Sequence, residues 1–206
     1  HGLSTGERAG INDFNDYGKI VNDVLLKYHK EFPDEKLYAV GHSTGCSALY
    51  EYMNSFNSVE ISRYIFLAPL IRLNHWQLSN FGNKILGNLN SYPRIFRNSS
   101  SNKEYLYFQK NVDPIQIRKL PKSWYSSLVK WNRENVSYKV NDEYVTLIQG
   151  KKDNIVDYKY NIEFLKKKIQ NIRVEILKDG KHDLINEQKS IMEKVYKLVL
   201  SELSGQ

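Results

Sequence analysis

The chain has 206 residues, 41% of them hydrophobic and 26% charged, and a formal net charge of +7. That length buries one core and argues for a single domain, while the composition excludes collagen-like and disordered chains. The lysines are spread along the chain without a recognition motif, which argues against nucleic-acid binding and leaves weak contact with an anionic membrane surface open.

The longest apolar run, Tyr64-Ile65-Phe66-Leu67-Ala68-Pro69-Leu70, is far short of the roughly 20 residues that span a bilayer. No basic start followed by an apolar run marks a signal peptide at the first residues. The single cysteine, Cys46, excludes an internal disulfide and fits a reducing, cytoplasmic compartment.

Along the chain, Phe14, Tyr17, Val21, Val24 and Tyr28 recur at helical spacing, and Pro33 closes the predicted helix. Residues 36–40 form a short apolar run leading into Gly41, and helix-forming residues resume over 46–53. Two further runs, 64–68 ending at Pro69 and 144–148 ending at Gly150, read as buried strands. A helical pattern with Tyr158, Ile162, Leu165 and Ile169 on one face follows, then a strand over 174–177 that stops at Asp179-Gly180. Ile191, Val195, Leu198 and Val199 predict a terminal helix. Such alternation implies an α/β fold, a mostly parallel sheet flanked by helices.

Residues 71–139 break the alternation and carry many aromatics, among them Trp76, Phe81, Tyr92, Phe96, Trp124 and Trp131. The stretch reads as an insertion, with 98–102 as a polar, turn-forming loop within it. The run Lys166-Lys167-Lys168 reads as a solvated helix face.

Gly41-His42-Ser43-Thr44-Gly45 matches G-x-S-x-G between a predicted strand and a predicted helix, the context that motif requires. Ser43 is the candidate nucleophile. The tight turn calls for small neighbours, which the glycines supply, and the backbone N–H of Thr44 is placed to donate to an oxyanion. A serine hydroxyl needs a histidine held by a carboxylate. Of the five histidines, His42 lies within the elbow and is expected to point elsewhere, His29 sits on a lysine-rich helix, His75 in the insertion and His1 at the terminus. His182 remains, after the last strand at the carboxyl edge of the sheet, where the elbow also opens. Asp153 follows the preceding strand at the same edge and is the candidate acid. Asp157 is the alternative acid or a helix cap. Asp183 is too close to His182 in sequence to orient its ring easily. The order Ser43, Asp153, His182 is that of α/β-hydrolases. No cysteine/histidine spacing suggests a metal, and this chemistry needs no cofactor.

Together these residues resemble the lysophospholipase and monoacylglycerol lipase branch of the α/β-hydrolases, a group related to serine aminopeptidases, over most of the chain. The elbow resembles that group's G-H-S-x-G, residues 150–156 its G-x-x-D-x-x-V acid loop, and His182-Asp183-Leu184-Ile185-Asn186-Glu187 its H-x-L-x-N-E loop. The resemblance implies one α/β-hydrolase domain over 1–206, with residues 71–139 or so as a helical lid over an acyl-chain pocket. It implies a serine carboxylic-ester hydrolase that cleaves small lipid-like esters through an acyl-enzyme, cytoplasmic or membrane-associated. An aminopeptidase-type peptidase and a catalytically inactive fragment are the alternatives.

Two departures stand out. Cys46 occupies a position that is usually glycine in the group. His1-Gly2-Leu3-Ser4 resembles the end of an R-G-H-G-x-S segment that follows the group's fourth strand; an assignment of His1-Gly2 as the oxyanion motif is set aside because it stands too near the elbow. The chain is therefore expected to be a C-terminal part, with the strand before Ser43 at an exposed edge. It would lack the loop supplying a second oxyanion donor, and weak activity is expected because losing one donor costs about a hundredfold to a thousandfold.

Overall fold

The computed structural model describes residues 3, 5–77 and 89–204. The first helix, α1 (Asn15–Glu31), is preceded by the buried Phe14 and stops at Phe32, just before Pro33. Its predicted apolar face divides along its length: Tyr17 and Val21 pack on the core, whereas Val24 and Tyr28 are 48% and 51% exposed. Strand β1 (Tyr38–His42) runs directly into the serine, two residues later than its apolar run suggests, and α2 (Thr44–Ser55) begins at the next residue. Strand β2 (Arg63–Leu67) completes the first crossover.

The stretch 71–139, expected to be an insertion, follows. Among the described residues it contains β3 (Ser91–Pro93) paired antiparallel with β4 (Lys119–Pro121), the short α3 (Lys103–Tyr107) running into a π-helical turn, and α4 (Lys122–Glu134). It is thus mixed rather than purely helical. Phe81 lies outside the described residues. The alternation resumes with β5 (Asn141–Gly150), α5 (Tyr158–Lys168), β6 (Ile169–Leu177) and α6 (Lys189–Leu203). Ile169, expected on the face of α5, instead opens β6, which starts five residues earlier than the apolar run at 174–177. The side chain is buried either way, and an apolar pattern alone does not separate a helix end from a strand start. The lysine run is only partly a solvated face, because Lys168 Nζ donates to the carbonyls of Val136 and Tyr138, both at 2.6 Å.

The four long strands form one parallel sheet in the order β1-β2-β5-β6. β2 is an inner strand, apolar after Arg63, and its alternation divides the core. Tyr64 and Phe66 face a layer with Tyr50 of α2, Leu128 and Trp131 of α4 and Leu165 of α5; Ile65 and Leu67 face Leu184 and Val195 beneath α6. Burying each such aliphatic side chain is worth about 1.5–3 kcal/mol. β1 lies at the sheet edge, as expected, with Val40 50% exposed. No helix among the described residues is long and apolar enough to cross a membrane.

The strand registers bring the carboxyl ends together. His42 pairs with Leu67, Leu67 with Ile148, and Gly150 with Leu177, so the loops after β1, β5 and β6 open at one edge.

Candidate active site

Ser43 sits between β1 and α2 with φ 51° and ψ −113°, a positive-φ conformation that costs a non-glycine residue strain. Hydrogen bonds on both sides hold it: its N–H donates to the Leu67 carbonyl at 3.0 Å, and its own carbonyl accepts from Cys46 and Leu70. The two elbow glycines are not equivalent. A Cβ on Gly41 would stand 2.8 Å from the Gly45 carbonyl carbon and 2.9 Å from the Cys46 nitrogen, whereas one on Gly45 would meet nothing within 4 Å. The expectation that both glycines make room therefore holds only for Gly41. Cys46 fits its place as a small buried side chain whose thiol donates to the Gly41 carbonyl at 3.2 Å, and burial pushes that thiol well above its ordinary pKa.

The three predicted residues meet. His182 Nε2 lies 3.0 Å from Ser43 Oγ, and His182 Nδ1 lies 2.8 Å from Asp153 Oδ2. Asp153 and His182 are both buried. Burial alone would raise the Asp153 pKa, but the hydrogen bond and charge of His182 and the donors Ile155 N–H and Gln149 amide hold it below the usual carboxylate range. Each carboxylate oxygen has two donors: Ile155 and Val156 N–H on Oδ1, Gln149 Nε2 and His182 Nδ1 on Oδ2. Thr44 is the first residue of α2, where a helical N–H has no partner within its own helix and is free for an oxyanion.

Asp157 is the helix cap: its side chain accepts from the Tyr160 N–H at 3.2 Å, at the start of α5. Asp183 holds the Ser99 hydroxyl at 2.6 Å. His29 and His75 are exposed, and His1 lies outside the described residues. His42 does not point away from the site. Its Nε2 donates to the His182 carbonyl at 3.0 Å, and the two imidazole centroids are 5.0 Å apart. Burial first, and then the nearby His182, lower its pKa and keep the ring neutral.

Three groups that sequence reasoning missed hold the relay. Gln149, fully buried at the end of β5, steadies the acid. The loop at 98–102 is not a free turn, since Ser99 and Ser100 are buried and the Ser99 carbonyl accepts the backbone N–H of both His182 and Asp183, at 3.0 and 2.9 Å. Glu187 spans the same junction: one oxygen accepts from Lys181 N–H at 2.7 Å and the other from Ser101 N–H at 2.6 Å. Its place in the H-x-L-x-N-E segment was the one available signal. Gly150 permits the acid and base loops to touch, because a Cβ there would lie 2.2 Å from the Lys181 carbonyl oxygen.

Ser43, Thr44 and His182 line a cavity of about 1020 Å³. Its walls are mainly apolar, with Leu70, Leu73, Ile155 and, from the insertion, Phe96, Leu120 and Trp124. Among the described residues, the charged groups lining it are Arg94, Arg97 and Asp183. Of the aromatics in 71–139, Trp131 belongs to the core against Phe14, Trp124 and Tyr125 are core residues that also line the cavity, and Tyr92 and Phe96 line it as well. The arrangement brings a hydroxyl, an imidazole hydrogen-bonded to a carboxylate and a helix-terminal N–H together beside a mainly apolar chamber, the parts that acyl transfer requires.

A family model described as serine aminopeptidase, S33, matches residues 1–189. No curated protein matches the sequence. Among solved structures, a monoacylglycerol lipase of Paleococcus ferrophilus superposes with a TM-score of 0.79 at 17% identity, over 100% of this chain and 80% of that one. A soluble variant of monoglyceride lipase from Saccharomyces cerevisiae, in complex with a substrate analog, superposes at 0.76 with 19% identity, over 99% of this chain and 74% of the other. An esterase from Exiguobacterium antarcticum superposes at 0.62 with 12% identity, over 96% and 76%. These likenesses establish the α/β-hydrolase fold.

Proposed function

The chain belongs to the serine aminopeptidase S33 family of hydrolases, and from that premise we propose that it is a serine carboxylic-ester hydrolase acting on small lipid-like esters, of the lysophospholipase or monoacylglycerol lipase type. The observation that carries this reading is the Asp153–His182–Ser43 relay opening into a chamber of about 1020 Å³ with mainly apolar walls. Asp153 keeps the His182 proton on Nδ1, which leaves the Nε2 lone pair to take the Ser43 proton as Oγ attacks the ester carbonyl. Thr44 N–H stabilises the oxyanion. The alcohol leaves with the proton from His182, and water activated by the same nitrogen releases the acid from the acyl-enzyme. The insertion acts as the lid, and its Phe96, Leu120 and Trp124 receive the acyl chain.

The family description favours a second reading, an aminopeptidase. Such an enzyme must hold an α-ammonium group, yet among the described residues the chamber carries two arginines against one carboxylate, Asp183. That balance supports an uncharged or acyl substrate. A weak contact with anionic membrane belongs to the proposal, since Ile95, Tyr107, Phe108 and Val112 are exposed on the insertion among Arg94, Lys110 and Arg118.

The test pairs a fluorophosphonate probe with two substrate sets. Labelling of wild type but not Ser43→Ala, with fatty-acyl esters hydrolysed and aminoacyl amides left intact, supports the proposal. Preference for amides sinks the ester reading, and a folded protein that never labels sinks the catalytic one.

A further inference from the structure

His42, His182 and Asp183 each present a metal-ligating atom at one corner of the cavity, and these atoms lie within 4.8 Å of one another. His42 Nε2 and Asp183 Oδ1 are 4.0 Å apart. For His182 the available nitrogen is Nε2, because Nδ1 is held by Asp153 at 2.8 Å. Asp183 Oδ2 accepts the Ser99 hydroxyl at 2.6 Å, the Tyr105 hydroxyl lies beside the same carboxylate, and Oδ1 faces His42.

Two imidazoles and one carboxylate form the donor set of an open zinc site, with a fourth position left for water or, here, Ser43 Oγ. Donors at about 2.1 Å from a common Zn²⁺ stand about 3.5 Å from each other, so the 4.0 Å gap between His42 and Asp183 must close by about half an ångström and the gaps to His182, which lie within 4.8 Å, by up to about 1.3 Å, by side-chain rotation. The supporting carboxylate is already in place. Asp153 accepts the Nδ1–H of His182, the arrangement that fixes the tautomer of a zinc-bound imidazole.

We infer that this corner binds a divalent transition-metal ion, Zn²⁺ by its donor chemistry, on His42 Nε2, His182 Nε2 and Asp183 Oδ1, and that the bound ion inhibits the enzyme. The ion takes the Nε2 lone pair that otherwise accepts the Ser43 proton. His42 moves its proton from Nε2 to Nδ1 and gives up its hydrogen bond to the His182 carbonyl, so no proton leaves the protein. Mg²⁺, which takes oxygen donors and keeps its waters, does not substitute. The inhibitory consequence rests on the ester-hydrolase reading; the binding does not.

The experiment is calorimetric titration of the full chain with Zn²⁺ and with Mg²⁺, alongside His42→Gln and Asp183→Asn. His42→Gln retains an amide donor for the His182 carbonyl and removes the imidazole. The expected result is one Zn²⁺ per chain, removable by EDTA, weakened about tenfold or more in each variant, with no Mg²⁺ binding. Absence of Zn²⁺ binding, or binding unchanged in both variants while their melting curves remain cooperative, overturns the site. For inhibition, fluorophosphonate labelling of wild type slows as the site fills, and His42→Gln, scaled to its own metal-free rate, needs about tenfold more Zn²⁺ for the same slowing. Labelling unaffected by saturating Zn²⁺ overturns the inhibitory claim. Zn²⁺ binding with the expected variant pattern in a protein that never labels upholds the site and rejects the hydrolase reading alone.

Discussion

Ser99 suspends His182: its carbonyl accepts the backbone N–H of His182 at 3.0 Å, across 83 residues of chain, and that of Asp183 at 2.9 Å. Glu187 fastens the same junction from the other side through Lys181 and Ser101. His182 is held by the segment that also supplies Phe96 and Arg97 to the cavity wall.

Glu187→Gln is expected to lower kcat more than it raises KM. An amide cannot accept from two N–H groups on opposite oxygens, so one loop is released, and a displacement of about 1 Å in the base costs about a hundredfold in rate. Steady-state kinetics on a short-chain ester, beside a thermal melt, provides the check. A KM effect with unchanged kcat would place Glu187 in substrate binding instead.

The elbow glycines should respond in opposite directions. Gly41→Ala drives a Cβ into the backbone of Gly45 and Cys46 and is expected to destabilise the fold by about 1–3 kcal/mol or more. Gly45→Ala adds a methyl to open space within a helix, where alanine is favoured over glycine by about 0.5–1 kcal/mol, so its melting temperature should be equal or higher. Denaturant unfolding of the two variants side by side decides the matter.

Glu51, on the helix that follows the nucleophile, accepts from Trp131 Nε1 at 2.7 Å, Tyr138 OH at 2.6 Å and the Ser55 hydroxyl, with 1% exposure. Removing its carboxyl in Glu51→Ala leaves buried donors unpaired at about 1–3 kcal/mol each. A fall in the urea midpoint is expected. Glu51→Gln, which retains an acceptor oxygen, should lose less.

Asp153 sets an acid limit. Its folded pKa is depressed, so its contribution to stability is complete above the ordinary aspartate value of about 3.9 and is lost as pH falls below that towards the folded value. Asp153→Asn should flatten this part of the stability profile, measured by urea unfolding at stepped pH. An unchanged slope would show that other carboxylates govern the acid limb.

The positions of Ser43, Asp153 and His182 were legible because each follows a short apolar run bounded by turn residues, which reads as a strand, and a parallel sheet delivers such loops to one edge. Their supports were not legible. Ser99 and Ser100 have the composition of an exposed turn, and nothing local says that their partners lie 84 and 87 residues away. The direction of His42 depends on side-chain rotation beside a strained residue, and the strand assignment of Ile169 on pairing with Asn141, neither of which periodicity records. The crowding at Gly41 and the openness at Gly45 follow from how α2 passes over β1, which a G-x-S-x-G pattern treats alike.

Because one stretch of the insertion lines the chamber and the next carries the base's backbone acceptor, this segment is not an interchangeable cassette. A chimera that took its cavity wall from another hydrolase would inherit a different suspension for His182. Exchange of acyl preference by grafting should therefore succeed when the boundary falls before Asn98 and lose turnover when the graft runs through Asn102, even if the new chamber is well formed.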